Sequence, residues 1–444
     1  MKNNRFGFYL LRTAAGLAVL LSALNVHVKS QTMPAGADAR IWQRALQIQR
    51  RAIVIDTHND ITTAMYDEDA DLGTSLAGQF HTDGDIFSPG FTPYHTDLKR
   101  MKAGGLTAEF FSIYVSGDYA KAGGSASRAL NQIDSVYRAA EKYPETLTMA
   151  YSSDDIRLAK KQGKIAALMG IEGGHAIENS LAALREFYRL GVRYITLTHN
   201  NTNDWADSSR DKPVHNGLTD FGKEVVKEVN RLGMLIDVSH VSDKTMSDVL
   251  DASTAPVIAS HSSARHFSDN PRNVSDELIR KIARHGGVIQ VNFYPAFLDQ
   301  RNWDEDKARD LKLKPELDAL TEQYKNDPRS LSEAKRKLYN ANPIYNPPYT
   351  RIVDHIDYIK NLVGIDYVGL GSDFDGVPGL PEGMNGIEDL PLLTYEMLRR
   401  GYSETEIRKV LGENLLRVFA GAEKVANIQS RKISADGNLR KIGK

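Results

Sequence analysis

The chain has 444 residues, of which 25% are charged and 41% hydrophobic, with a formal net charge of −1. That is the composition of a globular protein, and its near-neutral balance gives no electrostatic footprint for nucleic acid or an anionic membrane surface. There is no cysteine, which excludes disulfides, disulfide-linked oligomers, thiolate metal ligands and cysteine nucleophiles. Any metal must be held by histidine and carboxylates.

Lys2, Arg5 and Arg12 form a basic leader, followed by an uncharged stretch from Thr13 to Leu24 that is too short to span a bilayer comfortably. Val28, Lys29 and Ser30 precede Gln31 as a cleavage region. Residues 1–30 therefore read as a secretory signal peptide, cleaved or kept as an anchor. Export to the periplasm or the extracellular space is expected. The leader carries four Lys/Arg and no acidic residue, so a chain starting at Gln31 has a net charge of −5.

A lead-in helix is expected over 31–51. Residues 53–55 begin a first strand that ends in Asp56-Thr57-His58-Asn59-Asp60. The polar stretch 67–95 is long for a loop, which marks it as functional or partly structured. A second strand is expected over 106–115, and 128–143 has helical periodicity. Strands and helices then alternate. Strands fall at 165–171, 193–197, 234–238, 256–260 and 288–292, and helices at 180–190, 218–232, 243–250 and 276–284. The eighth strand is 367–371, and a closing helix covers 404–419.

The strands are continuous Val/Ile/Leu runs, as expected of parallel strands buried on both faces. Eight such units predict a (β/α)8 TIM barrel. A doubly wound sheet is the alternative, but no G-x-G-x-x-G fingerprint follows any strand. Residues 299–346, rich in Lys, Arg, Asp and Glu, break the rhythm. They are read as a helical insertion between strands seven and eight, a solvated charged cover near the active face. The barrel domain is expected over 31–428, with a polar, disordered tail from 429 to 444.

Active sites of such barrels lie at the carboxyl ends of the strands. His58, Asp60, Glu172, His199, His240, His261 and Asp373 all stand there. In His58-x-Asp60 the two-residue spacing of an extended segment points both side chains the same way. Glu172 ends an apolar strand, where a carboxylate is costly unless paired or metal-bound. Its two oxygens can serve two cations, giving one set with His58 and Asp60 and another with His240 and His261. Such a pair is typical of metallohydrolases. His199 is left to contact substrate or an oxyanion, and Asp373 to move a proton. Asp375 reads as a loop cap beside Gly376, and His175 as a supporting group. Arg272 and Arg265 both lie past the sixth strand, where an arginine can clamp a carboxylate. Spacing alone does not choose between them.

Nine segments go further. IDTHND, IEGGHAIENSL, YITLTHNNTNDWAD, GLTDFGKEVVKEVNRLGMLIDVSHVS, APVIASHSSAR, RNVSDE, VNFY, GLGSDFDGVPGLPEG and ENLLRVF run in order from about residue 45 to 420. In these the chain resembles the membrane (renal-type) dipeptidases, a zinc dipeptidase family. The resemblance implies a (β/α)8 barrel with two zinc ions. His58 and Asp60 match ligands of one ion, His240 and His261 of the other, and Glu172 the bridging carboxylate. His199 matches the group at the substrate and its oxyanion, Asp373 the proton-transferring aspartate, and Arg272 the holder of the terminal carboxylate. It further implies dipeptide substrates, tolerance of a D-residue at the C-terminal position, and a homodimer. Disulfide-linked dimerisation and lipid anchoring do not carry over to a cysteine-free chain without an anchor signal. The alternative activity is that of a dizinc amidohydrolase acting on another amide, lactone or ester. The 299–346 insertion is longer than the resemblance predicts, which leaves the shape of the substrate pocket open.

Overall fold

The computed structural model describes residues 33–82 and 92–442, with side chains to 428. The segment read as a signal peptide lies outside the described residues. Nine strands form one parallel sheet: β1 (Ile55–Asn59), β2 (Ala108–Tyr114), β3 (Leu147–Met149), β4 (Ile165–Glu172), β5 (Val192–Thr196), β6 (Leu235–Asp237), β7 (Ile258–Ala259), β8 (Val288–Val291) and β9 (Val368–Leu370). Their order is β1-β2-β4-β5-β6-β7-β8-β9, with β3 beside β4. The circle closes between β9 and β1. Asp60 N–H donates to Phe374 O at 2.9 Å and Asp373 N–H to His58 O at 3.2 Å, around a parallel bridge between Asn59 and Phe374. The fold is a (β/α)8 barrel.

The ninth strand was not expected. β3 pairs with Ile165, Ala166 and Ala167 at the start of β4, whereas β5 pairs with β4 from Met169 to Glu172. The two strands share one edge of β4, and a run of three residues is too short to carry a strand pattern. Every residue of β1, β2, β4 and β5 is buried, as continuous apolar runs require.

The helices start at side-chain caps. Ser180, Thr219, Ser242 and Ser275 each accept a hydrogen bond from a backbone N–H in the first turn of the helix that follows, which fixes where each loop beyond a strand must end. The closing segment is not one regular helix. Glu404–Arg408 passes through a π-helical turn, Lys409–Glu413, into Asn414–Ile442, whose backbone continues through the segment expected to be disordered. At the joint, the Asn414 amide donates to Val368 O at 2.9 Å and Ile365 O at 2.7 Å, tying the helix to β9. No helix among the described residues is long and apolar enough to cross a membrane.

The insertion between β8 and β9 consists of helices Pro295–Leu298, Gln300–Gln323 and Pro328–Asn340. Its role corrects the reading of a solvated cover. Trp303, Asp306, Arg309 and Tyr339 line the cavity at the mouth of the barrel. A charge-rich helix signals water on one face, but not whether that water is bulk or cavity.

Gly170 in β4 connects packing to chemistry. A Cβ there would overlap the Tyr194 ring, and the Tyr194 hydroxyl meets His58 Nδ1 at 2.8 Å. Gly170→Val is expected to destabilise the fold by about 1–3 kcal/mol through overpacking. Chemical unfolding within 0.5 kcal/mol of wild type (roughly the noise of a neutral substitution) would show that the ring has room to move.

Candidate metal centre

β1 delivers His58 from within the strand and Asp60 just beyond it. Asp60 occupies the cap position of helix Ile61–Asp67 but makes no capping hydrogen bond. Asn59 Oδ1 accepts from Ile61 N–H instead, at 3.0 Å, which frees the Asp60 carboxylate to face His58 Nε2 at 3.2 Å. Glu172 ends β4. Its Oε2 lies 3.5 Å from His58 Nε2, and its Oε1 3.0 Å from His240 Nε2 and 3.4 Å from His261 Nε2. Three groups of possible ligands result: His58, Asp60 and Glu172; Glu172, His240 and His261; and His58, His261 and Asp373. Within each, the ligand atoms lie within 4.8 Å of one another. His58, Asp60, Glu172, His240 and His261 are buried, and Asp373 is partly exposed to the cavity.

The hydrogen bonds behind the imidazoles assign their tautomers. His240 Nδ1 faces Asn200 Oδ1 at 3.2 Å; an amide oxygen only accepts, so Nδ1 carries the proton. His261 Nδ1 lies 2.8 Å from Ser260 Oγ. That hydroxyl already donates to the buried Asp237 at 2.6 Å, so it accepts from His261. The Nε2 lone pairs of His240 and His261 then face each other at 2.9 Å. Two lone pairs make no hydrogen bond. Burial first, then nearby charges including the Arg272 guanidinium, holds both imidazoles well below the usual histidine range, so protonation does not relieve the contact. His58 Nε2 is buried without a hydrogen-bond partner. Burial disfavours its cation, but Tyr194, Glu172 and Asp60 together raise it above the usual value. A nitrogen and carboxylate donor set without sulfur, each Nδ1 held from behind, suits zinc.

Around this cluster lies a cavity of about 500 Å³. His199 lines it beside His240, ring centroids 4.4 Å apart, and burial followed by Arg272 lowers its pKa well below normal. Asp373 Oδ1 is 3.9 Å from His58 Nε2, and Oδ2 accepts from the Asn292 amide at 2.7 Å. Burial is the largest influence on its carboxyl; with Asp60 adding to it and His58 opposing, the pKa rises to about 6. His240 and Asp373 both have φ of 65°, a backbone conformation that non-glycine residues adopt at a cost.

The structure separates the two arginines. Arg265 makes two contacts to the Asp243 carboxylate, at 2.6 and 2.7 Å, away from the cavity. Arg272 is buried on the cavity wall, donating to His261 O at 3.2 Å and lying over the Phe297 ring at 5.4 Å. Desolvation pulls its guanidinium down to about 10. His175 stays outside the cluster, its Nε2 3.1 Å from Ser116 O.

Several supporting residues gave no signal in the sequence. Tyr194, Asn200 and Ser260 orient the imidazoles from other strands and loops. Asp375 is more than a loop cap: buried, it accepts from His95 N–H at 2.8 Å and meets His81 Nε2 at 3.2 Å. Gly376 is needed because a Cβ would run into the carboxylates of Asp60 and Asp373.

The family model for membrane dipeptidases, peptidase family M19, matches residues 42–432. The chain belongs to this family of zinc metallo-dipeptidases. It is similar to the crystal structure of the probable dipeptidase PvdM from Pseudomonas aeruginosa, with 27% identity and a TM-score of 0.71 over 87% of this chain and 99% of that one. It also resembles an amidohydrolase from Pseudomonas aeruginosa, with 25% identity and a TM-score of 0.63 over 85% and 98% of the two chains. A metallo peptidase from Rhodobacter sphaeroides, liganded with a phosphinate mimic of the dipeptide L-Ala-D-Ala, shares the fold at 24% identity and a TM-score of 0.64, over 84% and 99%.

The loop bearing Asp373 is braced by His81, which sits between Asp375 and Glu68, with Nδ1 3.4 Å from Glu68 Oε1. Burial opposes its charge, but the two carboxylates win and raise it to about 9, above the ordinary value of 6.5. A histidine raised on folding contributes stability that is complete below pH 6.5 and is lost as pH rises through about 9. Unfolding free energy is expected to fall by on the order of 1–3 kcal/mol across that window, and His81→Gln should lose that slope. Parallel pH profiles of the two proteins would contradict the account.

Proposed function

We propose that this chain hydrolyses dipeptides at a binuclear zinc site in which Glu172 bridges the two ions. His58 and Asp60 would hold one ion, and His240 and His261 the other. The observation that carries this reading is the opposed pair of imidazole lone pairs beside a carboxylate with one oxygen toward each histidine set. When bound, zinc supplies Lewis acidity and brings the ionisation of water toward neutral pH.

The remaining roles belong to the protein's own groups. Arg272, a buried guanidinium without a carboxylate partner among the described residues, takes the terminal carboxylate of the substrate. His199, neutral in its buried setting, donates its one N–H to the oxygen that gains charge at the scissile carbonyl. Asp373, with Asn292 fixing one carboxylate oxygen, accepts the proton of the attacking water and passes it to the leaving amine. A carboxyl raised to about 6 is well matched to taking up and releasing that proton near neutral pH. Tolerance of a D-residue at the C-terminal position belongs to the same reading, supported by the L-Ala-D-Ala mimic bound to the Rhodobacter sphaeroides relative.

The test is amino-acid release from a dipeptide panel. Activity should vanish on exhaustive chelation and return with zinc. Asp373→Asn should lower kcat by about 10²–10⁴ with metal content unchanged. Arg272→Ala should cripple dipeptide hydrolysis yet spare any substrate lacking a terminal carboxylate, which distinguishes a dipeptidase from an amidohydrolase acting on other amides, lactones or esters. Activity that survives complete metal removal would refute the reading. Export is part of the proposal, supported by the basic and apolar leader; the exported protein should begin at Gln31, and intact protein confined to the cytoplasm would argue against it.

A further inference from the structure

Arg210 stands on the loop between β5 and the helix Asp220–Leu232, and it lines the same cavity as the metal ligands. Its guanidinium lies over two aromatic rings, Phe297 and Trp303, with Cζ 5.8 Å from each centroid. Among the described residues no carboxylate lies within ion-pairing distance of it. The neighbouring groups of the outer cavity have closer partners. Lys307 pairs with Asp304 at 3.0 Å. Arg309 pairs with Asp306, which also accepts from the Tyr294 hydroxyl at 3.0 Å. Asp310 accepts from the Tyr339 hydroxyl at 3.0 Å. Arg210 is therefore a partly solvent-exposed cation with no direct carboxylate partner among the described residues, attracted only at longer range by Asp306 and Asp373, and it faces the space where substrate must sit.

Phe297 locates that cation along the substrate. Arg272 lies 5.4 Å from the ring that Arg210 covers at 5.8 Å, so one small molecule can reach both guanidiniums. The shared ring places Arg210 beside the C-terminal residue of a bound dipeptide, whose terminal carboxylate Arg272 takes.

We propose that Arg210 is a specificity-determining residue that binds a second carboxylate, carried on the side chain of the substrate's C-terminal residue. The preferred substrates then end in aspartate or glutamate. This inference rests on the dipeptidase reading above and adds a substrate class to it. A charge-assisted contact to a guanidinium should favour the acid over its amide isostere by about tenfold or more.

The test uses the zinc-loaded full chain and compares kcat/KM for Ala-Asp and Ala-Asn, in both configurations at the second residue, with Ala-Ala as neutral reference. Wild type should favour Asp over Asn about tenfold, and Arg210→Met, which keeps apolar bulk against the rings, should bring that ratio close to one. Arg210→Glu should shift preference toward Ala-Lys. Calorimetric binding of phosphinate dipeptide mimics ending in Asp or Asn reads the same ratio without turnover. If Ala-Ala is hydrolysed but Asp is not favoured, or if the preference survives Arg210→Met, the role of Arg210 is overturned and the dipeptidase reading stands. If no dipeptide is hydrolysed, the dipeptidase reading falls, and equal binding of the two phosphinates would then overturn the Arg210 assignment independently.

Discussion

Everything at the mouth of this barrel depends on one contact, that between the Nε2 lone pairs of His240 and His261, 2.9 Å apart and flanked by Glu172. Each ring is turned inward by an acceptor behind it, Asn200 for His240 and Ser260 for His261. Left to themselves, the nitrogens would repel each other and the buried carboxylates around them. A cation between them would turn repulsion into ligation. His58 differs, since its Nε2 faces the Asp60 and Glu172 carboxylates at 3.2 and 3.5 Å, which favour its cation, while its Nδ1 rests on Tyr194. The barrel bears the cost of gathering these groups through its large apolar core, and the loops bear a further cost in backbone strain at His240 and Asp373.

That strain is held in place by neighbouring bonds. The carbonyl of His240 accepts from Ser209 N–H at 2.8 Å, and Asp373 is pinned by His58 O on one side and Asn292 on the other. The cluster of His81, Asp375 and His95 braces the loop from outside the cavity. These contacts join residues far apart in sequence, so the geometry of the site is a property of the closed barrel rather than of any single loop.

The strand ends were legible in the sequence because β1, β2, β4, β5, β6 and β7 are buried and lie in largely apolar runs. The polar residue that ends each run, among them His58, Glu172, His240 and His261, then stood out by position alone. What was illegible depended on long-range contact. Spacing does not distinguish Arg272 from Arg265; the resemblance in RNVSDE chooses Arg272, and the Asp243 carboxylate, reached only on folding, shows what occupies Arg265. β3 is too short to show a period, and Gly412, with φ of 172°, interrupts a segment whose apolar pattern reads as one helix. The insertion reads as charged and solvent-facing, yet Asp306 and Arg309 line the cavity over the site. Arg210 sits in a polar loop with no pattern of its own, and only the rings of Phe297 and Trp303, from the far side of β8, give it meaning.

The central claim is that Glu172 joins two metal subsites. Anomalous diffraction at the zinc edge, on crystals of the zinc-loaded protein, tests it most directly. The account predicts two separate peaks, one between Glu172 and the pair His240 and His261, the other between Glu172 and the pair His58 and Asp60, with a Glu172 oxygen on each. A single peak, or two peaks of which Glu172 touches only one, would contradict it.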